Sequence, residues 1–110
     1  MVDIPKTDYS LLDSPIISAS LFYPRPEWTA VPDDEAVESI LIPVEKDVVI
    51  GARFHMSGPA APTILFFHGN GEIVADYEGL GIVYNDMGIN FFPVDYRGYG
   101  RSTGSPTVTA

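Results

Sequence analysis

The stretch Thr63-Ile64-Leu65-Phe66-Phe67-His68-Gly69-Asn70-Gly71-Glu72 decides how this chain folds. Its first half is an unbroken apolar run, the pattern of a strand covered on both faces rather than the alternation of a strand with one wet face. Two glycines then break the strand, and Ile73, Tyr77, Leu80, Tyr84 and Met87 recur at helical spacing. Glu72 in the first turn and Gly88 just past Met87 suit the two ends of a helix, so the spacing predicts one over residues 72–87. Gly79 and Gly81 inside it each cost roughly 1 kcal/mol against Ala, a cost that close packing of helix on sheet would explain. Residues 89–92 resume a buried-type strand. Strand, helix and strand within residues 62–95 make a βαβ crossover, its strands parallel and its connection right-handed.

Upstream, β-branched and aromatic runs over residues 36–44 and 48–56 flank Glu45-Lys46-Asp47, the signature of a hairpin with a turn of about three residues. The class is therefore α/β, an antiparallel hairpin followed by a βαβ unit in one mixed sheet. Pro93 removes a ladder donor, which predicts either a bulge there or a strand that stops at Phe92. Before the hairpin, Pro5, Pro15, Pro24, Pro26 and Pro32 interrupt any long element, leaving one short helix near residues 14–21 and a solvated turn at Pro32-Asp33-Asp34-Glu35. The organisation is a proline-rich arm, residues 1–35, on an α/β unit, residues 36–110.

At 110 residues the chain is one domain burying somewhat over ~60% of its unfolded surface. With 6 Lys+Arg against 15 Asp+Glu, the basic residues scattered, it has no footprint for nucleic acid and disfavours a polyanionic substrate. Without cysteine it can hold no disulfide, thiolate metal site or cysteine nucleophile, and the cytoplasm is the expected setting. Its apolar runs are too short and too broken for a secretory signal or a membrane span. No metal-ligand cluster and no cofactor motif stands out, so no cofactor is expected.

The corner at Phe67-His68-Gly69-Asn70-Gly71-Glu72 aims backbone N–H groups outward at the carboxyl edge of a sheet, a place that favours negative charge. An oxyanion could take the Asn70 N–H there. Alone, the same glycines also read as a plain tight turn. Off the next strand comes Asp95-Tyr96-Arg97-Gly98-Tyr99-Gly100-Arg101-Ser102. With both motifs in place, residues 36–107 resemble the N-terminal part of the α/β-hydrolase superfamily. There strand three ends in His-Gly plus an oxyanion-hole residue, and strand four in Asp-x-Arg-Gly-x-Gly-x-Ser.

The resemblance implies a serine esterase or peptidase-like hydrolase acting on a small-molecule ester or amide, with the last strand lying between the second and third. It carries one catalytic position onto this chain, the backbone N–H of Asn70. The nucleophile, acid and histidine come later in such proteins, in that chain order. Gly100-Arg101-Ser102-Thr103-Gly104 matches the nucleophile-elbow expression, but Ser102 stands past the strand in a loop signature, so a nucleophilic role is not expected. The resemblance makes His68 structural, and His55, in the second strand, has no partner visible in the sequence.

Two other readings compete. A dinucleotide-binding module would use Gly69, Gly71 and Asp95 as the ribose acid, but Val74 fills the third small position and Arg97 to Ser102 go unexplained. A non-catalytic fragment would act as a binding or oligomerising body. In the family the strand ending at Phe67 is internal, and here nothing downstream pairs with it, which predicts self-association through an open sheet edge, association with a partner carrying the rest of the fold, or marginal stability.

Overall fold

In the computed structural model, which describes residues 8–27 and 36–107, β1 (Val37–Glu45) and β2 (Val48–His55) form the antiparallel hairpin. Its turn is two residues, tighter than expected, because Asp47 adopts a left-handed φ of 63°, which a short polar side chain tolerates. β4 (Asn90–Val94) lies between β2 and β3 (Thr63–Phe67), antiparallel to the first and parallel to the second. The sheet order β1-β2-β4-β3 is the one the family pattern implies. The turn expected at residues 32–35 and the end of the closing loop lie outside the described residues.

Pro93 neither bulges β4 on its β3 side nor ends it. Pairing with β3 keeps one register from Thr63↔Asn90 to Phe67↔Val94. On the other side Asp95 N–H donates to the Gly51 carbonyl at 2.8 Å. Antiparallel ladders alternate, so the donor that Pro93 lacks falls opposite Arg53. Pairing with β2 is recorded at Ala52↔Val94 and His55↔Phe91, on either side of that gap.

β4 is buried almost throughout, but β3 is not. Thr63, Leu65 and Phe67 are exposed while Ile64 and Phe66 are half-buried, which corrects the expectation of a strand covered on both faces. Phe66 packs against Tyr77 and Phe91, ring centres 4.6 and 5.3 Å apart. Leu65 and Phe67 remain 55% and 58% exposed, although the Phe67 ring lies parallel to that of Tyr96 at 6.4 Å. An apolar run reports what a strand is suited to, and only a packed neighbour makes it buried.

The predicted helix also starts later than its spacing suggests. Glu72 folds back to accept the Gly69 N–H, and Asp76 accepts the Ile73 N–H at 3.0 Å. One 3-10 turn (Val74–Tyr77) therefore precedes α2 (Glu78–Asp86). α2 ends where expected. Gly88 N–H reaches the Asn85 carbonyl at 3.0 Å and Ile89 N–H the Tyr84 carbonyl at 2.9 Å, the paired bonds of a Schellman end. In the arm, Pro15 opens α1 (Pro15–Leu21) and the Ser14 hydroxyl caps it by accepting the Ile17 N–H.

The core lies between α2 and the sheet, where Tyr84 packs on Phe91 at 5.3 Å and Gly81 sits over the buried His55 ring. A Cβ at position 81 would overlap that imidazole, whereas one at Gly79 would meet nothing within 4 Å. The two helix glycines thus differ in kind. Gly79→Ala should stabilise the chain by up to about 1 kcal/mol from helix propensity, and Gly81→Ala should destabilise it by about 1–3 kcal/mol from overpacking. Urea unfolding of the two variants checks this, and effects of the same sign would refute the packing account.

Candidate functional site

Asp95 follows β4 directly and is 1% exposed. Its Oδ1 accepts the Val74 N–H at 3.0 Å and stands 3.0 Å from His68 Nε2, both side chains closed to solvent. Its carbonyl takes the Ser102 hydroxyl at 2.8 Å, and that hydroxyl accepts the Gly51 N–H at 2.8 Å. The other ring nitrogen of His68 lies 2.9 Å from the Gly69 carbonyl. Burial pulls the His68 pKa down, but the Asp95 hydrogen bond, the Gly69 carbonyl and the Asp95 and Glu72 charges outweigh it and hold it above 6.5. The Tyr96 hydroxyl donates to the His68 carbonyl.

These contacts fix the floor of a cleft of about 350 Å³ at the carboxyl ends of β3 and β4, lined by Leu21, Phe22, His68, Asn70, Tyr96, Arg97, Tyr99, Pro106 and Thr107. Asn70, the one catalytic position expected from sequence, is on its wall. The Asn70 side chain is bonded through both its polar atoms: Oδ1 accepts the Tyr99 hydroxyl at 2.6 Å and the Tyr23 N–H at 3.0 Å, and Nδ2 donates one N–H to the Leu21 carbonyl at 2.8 Å. Among the described residues the Asn70 N–H donates to no group. What this residue has to offer a ligand is its backbone N–H and the second N–H of Nδ2.

The arm holds the same loop from outside. Arg25 donates to the Gly71 carbonyl at 3.1 Å and grips Asp76 with both nitrogens, at 2.9 and 2.5 Å. That hydrogen-bonded pairing holds the Asp76 carboxyl below its ordinary range, burial opposing it only in part. Gly100 N–H donates to the Arg25 carbonyl at 2.8 Å. Deeper in, Arg53 pairs with Glu27 and with Glu78, and Arg101 reaches Glu27 at 3.0 Å. None of these arm contacts could be assigned from sequence, since no spacing rule links Tyr23 to Asn70, 47 positions away, or Glu27 to Arg53 and Arg101 on other elements. The alternation in β2 that puts charged Arg53 on the same inward face as His55 was the available signal.

Ser102, 8% exposed and held between the Gly51 N–H and the Asp95 carbonyl, has the surroundings of a structural hydroxyl. Asp95, enclosed and occupied by Val74 and His68, presents no edge to a ribose. Buried His55 has Glu78 at 3.8 Å from Nε2, a partner that sequence did not reveal. No group of three or more His, Asp or Glu suited to a metal occurs among the described residues.

No protein-family model matches the sequence. Human alpha/beta hydrolase domain-containing protein 17B is 36% identical over 89 residues, which cover 76% of this chain and 30% of that protein. Protein bem46 of Schizosaccharomyces pombe is 40% identical over 52 residues, 46% of this chain and 17% of its own length. The chain thus spans about a third or less of the curated relatives it matches. Among solved structures, the Pyrococcus furiosus esterase Pf2001 superposes with a TM-score of 0.57 at 20% identity, over 80% of this chain and 36% of that one. That likeness is one of fold. From the sheet order, the two strand-end motifs and these relatives, the chain belongs to the α/β-hydrolase superfamily.

Proposed function

We propose that the chain supplies the oxyanion-hole side of a serine hydrolase acting on ester or amide bonds. The observation that carries this is Asn70: it lines the cleft, its side chain is bonded to Leu21, Tyr23 and Tyr99, and its backbone N–H has no partner among the described residues. A backbone donor so held meets the need of a carbonyl oxygen gaining charge, where one well-placed donor is worth about 10²–10³ in rate. On this reading nucleophile, acid and histidine come from polypeptide other than these 110 residues. The absence of cysteine suits a cytoplasmic setting for it, and no helix among the described residues is long and apolar enough to cross a membrane.

The 110-residue chain should then leave activated esters at background and take no fluorophosphonate label, and Ser102→Ala should behave alike. Labelling that vanishes in Ser102→Ala would make Ser102 a nucleophile and overturn the reading. A longer polypeptide containing these residues should label at a later serine.

His68 is read as a clamp, not a general base. With its folded value above 6.5, protonated His68 contributes stability in full below pH 6.5, and that contribution is lost as pH rises through the raised value. The thermal midpoint should fall from about pH 6 to 9 relative to that of His68→Gln. A pH-independent difference between the two chains sinks the clamp.

A second reading, a non-catalytic body that associates through its sheet, is favoured by the exposed Leu65 and Phe67 on the outermost strand. Sedimentation should find the chain associated at about tens of micromolar, and Phe67→Lys should lower the mass. A folded, cooperative monomer at that concentration refutes it.

A further inference from the structure

We propose that the N-terminal arm is the specificity wall of the cleft, with Leu21 and Phe22 seating a neutral, apolar acyl or aryl group beside the Asn70 loop. This inference rests on the cleft being the hydrolase site.

Three observations converge on it. First, the backbone at the end of α1 is bonded to the loop itself, Leu21 through its carbonyl to Asn70 Nδ2 and Tyr23 through its N–H to Asn70 Oδ1. Phe22 stands between these two bonds, so loop and wall cannot move independently. Second, the cleft surface around the loop is mostly aromatic and aliphatic, formed by Leu21, Phe22, Tyr96, Tyr99 and Pro106. Such a lining with few convergent polar groups is suited to the apolar part of a small ligand. Third, the cations there are already committed. Arg97 pairs with Glu45 at 2.7 Å, and His68 faces Asp95 at 3.0 Å. An anionic group would be desolvated without a free counter-charge, so a neutral one is preferred.

Photo-crosslinking of the full 110-residue chain tests the proposal, with an N-phenylbutanamide carrying an aryl diazirine as the probe. Label should saturate, be displaced by unmodified N-phenylbutanamide, and map both to the peptide holding Phe22 and to residues 68–71 or 96–99. Phe22→Asp should reduce it at least about tenfold by placing a charge in the wall, while Phe22→Leu should retain it and so separate a lost wall from a lost fold. Asn70→Ala, which removes the two bonds from the Asn70 side chain to the arm, should lower label on Phe22 more than on Tyr96. A carboxylated analogue of the probe should label weakly. Label on residues 68–71 that is indifferent to Phe22→Asp would overturn the arm as wall and leave the hydrolase reading standing. Equal labelling by the carboxylated analogue would overturn the neutral-ligand claim. Label confined to β3, with none in the cleft, would overturn the site and the proposal together.

Discussion

One carboxylate, kept from water at the end of β4, sets the constraints that the rest of this structure meets. An unpaired buried charge costs several kcal/mol, so each neighbour of Asp95 has to supply a donor or make room. Val74 gives its N–H from the entry of the 3-10 turn, and His68 brings a ring nitrogen from the end of β3. Gly100, at φ 55°, passes so close to Oδ2 that a Cβ would overlap it, and only glycine takes that backbone and that contact together. The main chain of Asp95 then fastens β2 and the motif loop through Gly51 and Ser102.

From that anchor a chain of hydrogen bonds leads outward to the cleft. His68 is fixed below, its carbonyl holds the Tyr96 hydroxyl, Tyr99 holds Asn70, and Asn70 holds the arm. The cleft wall is thus tied to the buried carboxylate through His68, which lines the cleft and stands 3.0 Å from Asp95. The motif from Asp95 to Ser102 thereby has a physical meaning: its residues build the frame in which a backbone N–H at position 70 is held.

The sequence carried the sheet well, because its elements are written in short-range patterns. Apolar runs of five residues, helical spacing after a glycine break, and Gly88 as a stop need only their immediate neighbours to be read. Three features lay beyond that reach. The α2 start was displaced by Glu72 and Asp76 turning back on their own backbone, a competition that spacing does not record. β3 was expected under cover on both faces, yet burial belongs to what packs on a strand and not to the strand. The arm's contacts join residues such as Tyr23 and Tyr99, 76 positions apart, and no local rule connects them.

The four charges Arg101, Glu27, Arg53 and Glu78 alternate in sign and come from the motif loop, the arm, β2 and α2. Glu27 and Arg53 are nearly closed to solvent at 1% and 2%, whereas Arg25 and Asp76, at the arm's other fastening, are 48% and 33% open. Mobile ions screen exposed pairs and barely reach enclosed ones, with a Debye length of about 10 Å at 0.1 M falling to about 3 Å at 1 M. The arm therefore has one fastening sensitive to ionic strength, beside the Asn70 loop, and one that is not. Raising salt weakens the Arg25–Asp76 pair while the Glu27–Arg53 pair and the uncharged bonds from Leu21 and Tyr23 to Asn70 keep their place, so the surroundings tune one fastening of the arm without detaching it.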